Sequence, residues 1–118
     1  MAHTLAPWVQ AWFWREFLKG NGPLYLSLHS APPGASGDFE YVDELYARSY
    51  TRWDESGTLQ VLADDLRYVT PEGDVVWFGL WTEPAGGRWV GGMDTPRKHT
   101  KRGSTYVVEK GTVVLGAV

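Results

Sequence analysis

After Gly20 the chain breaks into short apolar or alternating runs that return roughly every ten residues, each cut off by glycine, proline or acidic turn residues. No such run is long enough for a helix of ordinary length. Leu24 to His29 alternates, with Leu24, Leu26 and Leu28 on one side and Tyr25, Ser27 and His29 on the other. "APPGASGDFEYVDE" then reads as a loop. Arg48 to Trp53 is an expected strand followed by a turn at "DESG", and Leu59 to Leu62 and Leu66 to Val69 are further short strands. Val75 to Trp81, "VVWFGLW", is continuously apolar, as a central strand covered on both faces would be. "TEPAGG" turns the chain into a strand over Arg88 to Gly91. Thr105 to Glu109 and Thr112 to Val118 are expected to pair around a hairpin-like turn at Lys110-Gly111. The pattern predicts an antiparallel β-sandwich, or a barrel-like variant of it, with one N-terminal α-helix.

That helix is expected over Leu5 to Lys19, capped by Thr4, with Pro7 in the first turn and "GNGP" ending it at Gly20. Trp8, Ala11, Trp12 and Arg15 line one side, Val9, Phe13 and Phe17 another, and Trp14 and Leu18 extend it. A helix apolar over most of its girth needs cover on more than one side. Two readings stand: the helix caps the core, or part of it meets another subunit. With no repeat and no long linker, residues 1–118 read as one domain, a helical segment over 1–20 and a β-sandwich over 23–118.

Composition narrows the function classes. A net charge of -3 argues against general nucleic-acid binding. The absence of cysteine removes disulfides and thiolate metal sites. The first twenty residues lack the basic start and small-residue cleavage site of a signal peptide, and the run is too short to span a membrane. The expectation is therefore a protein that stays in the cell or leaves by lysis or assembly, with no nucleic-acid and no membrane partner. Seven Trp and six Tyr suit a core, a subunit interface or a sugar-binding face.

Few residues stand in a pattern that carries chemistry. His3, His29 and His99 show no metal-ligand spacing. His29 is expected to finish a strand by bonding to loop backbone. No nucleophile elbow, phosphate loop or dinucleotide fingerprint is present, so no catalytic residue, metal or cofactor is assigned. Asp38, Glu40, Asp43 and Glu44 cluster in one loop. Asp38 and Glu40 have the alternation of calcium ligands, but the expected reading is a solvated acidic loop anchored by Phe39 and Tyr41. "PRKHTKR" gathers Arg97, Lys98, Lys101 and Arg102 into what reads as a solvated loop, or a basic patch for an acidic partner. Trp77, Trp81 and Trp89 read as core, and Trp53 as the tryptophan best placed to stack on a sugar. The interface candidates are Trp8, Trp12, Phe13, Trp14, Phe17, Arg97, Lys98, Lys101 and Arg102.

The order of several weak motifs is more specific than any one of them. Pro23, Tyr25, Leu28, His29, Ser30 and Pro33 follow the helix, and Glu40, Val42, Tyr46, Ala47 and Arg48 close the acidic loop on "YAR". Trp77, Gly79, Leu80, Trp81, Thr82, Gly86 and Gly87 come next, then Gly103, Thr105, Gly111, Val113 and Leu115. In this order the chain resembles a family of small tailed-phage virion proteins, labelled tail fibre or minor tail proteins and related to head decoration proteins. Tyr25 stands one residue early, and residues 58–74 lack the small-residue, asparagine-containing strand pair usual there. The resemblance implies a non-enzymatic structural protein of the virion, assembled in the host cytoplasm. It would form a dimer or trimer and dock on major capsid or tail proteins. The alternative is a carbohydrate-binding module for a host-surface glycan.

Overall fold

The computed structural model describes residues 6–22 and 24–116. In chain order the elements are α1 (Pro7–Asn21), β1 (Tyr25–His29), β2 (Ser49–Tyr50), β3 (Trp53–Ser56), β4 (Leu59–Leu62), β5 (Leu66–Thr70), β6 (Gly73–Trp81), β7 (Trp89–Thr100), β8 (Ser104–Val108) and β9 (Val114–Leu115). Three antiparallel sheets form, ordered β2-β1-β6-β7, β3-β4-β9 and β5-β8. The fold is mainly β, a sandwich with one N-terminal helix, as the strand spacing predicts.

The core follows from alternation. Leu26 and Leu28 of β1 lie opposite Leu80 and Phe78 of β6. With Leu24 and Val75 they form one buried layer. Leu62, Leu66, Tyr68, Tyr106, Val108 and Leu115 from the two smaller sheets, Val113 just before β9 and Tyr41 of the acidic loop complete the same cluster. Each such side chain contributes on the order of 2 kcal/mol on leaving water. The Tyr68 hydroxyl donates to the Leu26 carbonyl at 2.8 Å, so a core tyrosine keeps its polar tip satisfied. Burial pushes the Tyr68 phenol pKa up.

Several expectations change. Thr4 lies outside the described residues, and the N-cap position is Ala6 with Pro7 opening the helix, which runs on to Asn21 before Gly22. The single strand expected over Arg48 to Trp53 is two, β2 and β3, because Thr51 turns inward and bonds Leu24 through both its amide and its hydroxyl. "DES" belongs to β3, and the turn moves to Gly57-Thr58. The last two strands do not pair with each other. β8 joins β5, β9 joins β4, and the intervening chain is held by Gly111 N–H to the Leu62 carbonyl and Lys110 N–H to Asp65.

The largest correction is β7. The strand expected to end at Gly91 continues to Thr100, so Arg97, Lys98 and His99 of the basic segment are strand residues. Proline is disfavoured inside a strand because it cannot donate to the ladder. Pro96 is tolerated because the β6–β7 register slips between Val75 and Trp77, where the ladder is already interrupted, and because β7 is an edge.

Candidate functional site

His29 and Ser27 point to the side of β1 away from the leucines, and both are fully buried. His29 Nδ1 lies 2.7 Å from the Asp38 carbonyl, which can only accept, so Nδ1 carries the proton. In the neutral ring Nε2 then accepts from the Ser27 hydroxyl at 2.7 Å, and Ser27 Oγ accepts from Trp81 Nε1–H at 2.9 Å. A one-way relay results: Trp81 to Ser27 to His29 to the loop backbone. A Ser–His pair at this spacing is the arrangement of a nucleophile and its base. Here it is sealed beneath Trp81 and Trp89, and Gly79 lies directly against it. A Cβ at Gly79 would fall 2.5 Å from both His29 Nε2 and Ser27 Oγ. Burial lowers the His29 pKa, outweighing the Asp38 bond and Glu40, which raise it. The expected bond from His29 to loop backbone is present.

The acidic loop is not simply solvated. Tyr46 hydroxyl accepts from Leu28 N–H at 3.0 Å and donates to Glu40 at 2.8 Å. Arg48 grips both Glu40 oxygens, at 3.0 Å from Nε and 2.9 Å from Nη2. Its Nη1 donates to the carbonyls of Glu83 and Gly86 in the β6–β7 turn, and its guanidinium lies 3.9 Å from the Trp81 ring centroid. Both Glu40 oxygens are thus taken up by Arg48 and Tyr46. Burial raises the Tyr46 pKa further than any other influence on it. Among the described residues no group of three His, Asp or Glu side chains is placed to hold a metal. His3 lies outside them.

Of the two expected anchors, Tyr41 is buried and Phe39 is not. Phe39 has φ 64°, a left-handed conformation that costs a bulky residue, and stands exposed with Val42 and Leu45. The sequence reading missed this trio. Its signal was an apolar residue every third position through an acidic loop.

The basic segment is partly neutralised inside the chain. Arg97 and His99 both bind Asp74, at 2.8 and 2.9 Å. Lys98 lies over the Tyr106 ring, and Arg102 approaches Asp43 and Glu44 at 3.7 and 3.8 Å. Lys101 is exposed. His99 is therefore an edge-strand residue with an acidic partner, not part of a solvated loop.

The helix candidates divide into two groups. Trp14 and Phe17 pack against the core, and Trp14 also approaches Gly116. Trp8, Trp12 and Phe13 turn outward, with relative exposures of 71%, 56% and 46%. Trp8 and Trp12 are one helical turn apart and share a face. Beside them lies a groove of about 300 Å³ between α1 and the start of β7, lined by Phe13, Trp14, Phe17, Thr82, Arg88, Trp89 and Val90. Trp53, expected to be the exposed tryptophan, is half-buried, packs against the core and donates its indole N–H to Thr51 at 2.8 Å. Trp81 is buried and Trp77 and Trp89 partly so.

No family model matches this chain, and no curated protein matches it.

Proposed function

We propose that the protein is a non-enzymatic structural subunit of a tailed-phage virion, a minor tail or capsid decoration protein that self-associates and docks on the particle. The observation that carries the assembly part is the outer face of α1. Two tryptophans and a phenylalanine stand in solvent on one short helix. Aromatic anchors of this kind carry most of the energy of protein interfaces. The virion part is supported by the order of motifs along the chain, and the structure gives those motifs physical roles. Leu28, His29, Tyr46, Arg48, Gly79 and Trp81 are the residues that pin the acidic loop to the sandwich. That pinned loop presents Phe39, Val42 and Leu45, a second apolar surface on a different element. A subunit with two such surfaces can pair with its own copies through one and bind a lattice through the other.

The experiment is peptide mass spectrometry of gradient-purified particles of the encoding phage. The protein is expected in intact particles, at a copy number that is a multiple of a closed ring. Its absence from intact particles overturns the reading.

A further inference from the structure

A second cleft lies on the other flank of α1. It has a volume of about 430 Å³ and is lined by Arg15, Leu18, Lys19 and Gly22 of the helix region and by Tyr50, Thr51, Arg52, Trp53, Glu55 and Gln60 of β2 to β4. Its size falls in the range of small-ligand sites. Gln60 is only 8% exposed, yet its carboxamide has no hydrogen-bond partner among the described residues. No fully buried side-chain polar atom there lacks a partner, so the Gln60 amide must reach the cleft. A planar amide offers a donor and an acceptor side by side, the complement of two adjacent hydroxyls. Trp53 and Tyr50 supply aromatic surface, and the Trp53 ring is fixed by its bond to Thr51. Three cations line the cleft against one carboxylate, on a chain whose net charge is -3. Arg15 is held by Glu55 at 2.7 Å and Arg52 by Asp64 at 2.7 Å, whereas Lys19 has no acidic partner among the described residues.

We propose that this cleft binds an acidic saccharide, a hexuronate-type sugar. Its ring packs on Trp53 and Tyr50, its hydroxyls pair with the Gln60 amide, and its carboxylate meets Lys19. An acidic peptide would satisfy Lys19 but would leave the buried amide and the aromatic wall without a matching polyol. The site stands apart from the assembly reading, because it uses the C-terminal half of α1 and none of Trp8, Trp12 or Phe13.

The test is NMR titration of the whole chain with trigalacturonate, the neutral galactotriose and a triglutamate peptide. Trigalacturonate is expected to shift the amides of Thr51, Trp53 and Gln60 with a Kd near or below about 1 mM. Galactotriose should bind at least about tenfold more weakly. Lys19→Gln and Tyr50→Ser, both at exposed positions, should each weaken the acidic sugar about tenfold or more; melting should stay unchanged for Lys19→Gln, and Tyr50→Ser, which loses only an edge-on contact with Tyr25, should remain folded. Equal binding of the neutral sugar, tighter binding of the peptide, shifts confined to another surface, indifference to both substitutions, or no shifts at all would each overturn the proposal.

Discussion

At Arg48 a single guanidinium binds the Glu40 carboxylate, two turn carbonyls and the face of Trp81, with its side chain 9% exposed and that of Glu40 18%. Removing one partner of such a pair leaves the other buried and uncompensated. Arg48→Ala is expected to cost about 3 kcal/mol or more in chemical denaturation. Arg48→Lys should recover only part, because an ammonium cannot match the fork. Gly79→Ala places a methyl group against His29 and Ser27 and should cost about 1–3 kcal/mol. His29 adds a pH signature. Its folded pKa lies below the unfolded 6.5, so the unfolded chain binds the extra proton first. Its contribution is whole above pH 6.5 and is lost as pH falls below that value toward the folded pKa. Urea midpoints measured between pH 7.5 and 5.5 should fall for the native chain and stay flatter for His29→Gln. His29 was legible as a strand-ending residue from "LHSAPPG". Its partner Ser27, two residues back, was not singled out, since strand alternation puts both on one face but does not reveal which chain covers them. Arg48 and Glu40 were visible as a motif only, because their pairing depends on how a loop folds back.

The elements were legible where burial alone decides them. β1 and β6 carry clean alternation or a continuous apolar run, and they form within two residues of where the sequence puts them, as do the shorter β4 and β5. β7 was cut short because Pro96 and a run of cations mimic a loop, and only the β6 register shows the ladder resuming beyond the bulge. Charges and proline on this edge also discourage pairing with a foreign strand. α1 was legible as over-hydrophobic, but its angular pattern did not say which aromatic residues face in. The structure separates them. Trp14→Ala, which removes a ring packed on the core, is expected to cost on the order of 2 kcal/mol of stability. Trp12→Ser should change melting by less than about 0.5 kcal/mol equivalent, since its ring is mostly in solvent. Thermal denaturation of the two variants side by side checks this, and equal losses would mean that the outer face of α1 belongs to the fold.

For the whole molecule, a small sandwich closes its own core and still leaves aromatic side chains uncovered on the helix and the acidic loop. Nothing in the folding of one copy requires those rings outside. Their burial between copies would add apolar area of the kind that drives association. The most direct measurement is the solution mass by size-exclusion chromatography with light scattering, for the native chain and for Trp8→Ser/Trp12→Ser. The native chain should run as a dimer or trimer of the 13.2 kDa subunit, and the double variant as a monomer with unchanged melting. A native chain that stays monomeric at every concentration, or a double variant that assembles as the native chain does, would contradict the role given to α1.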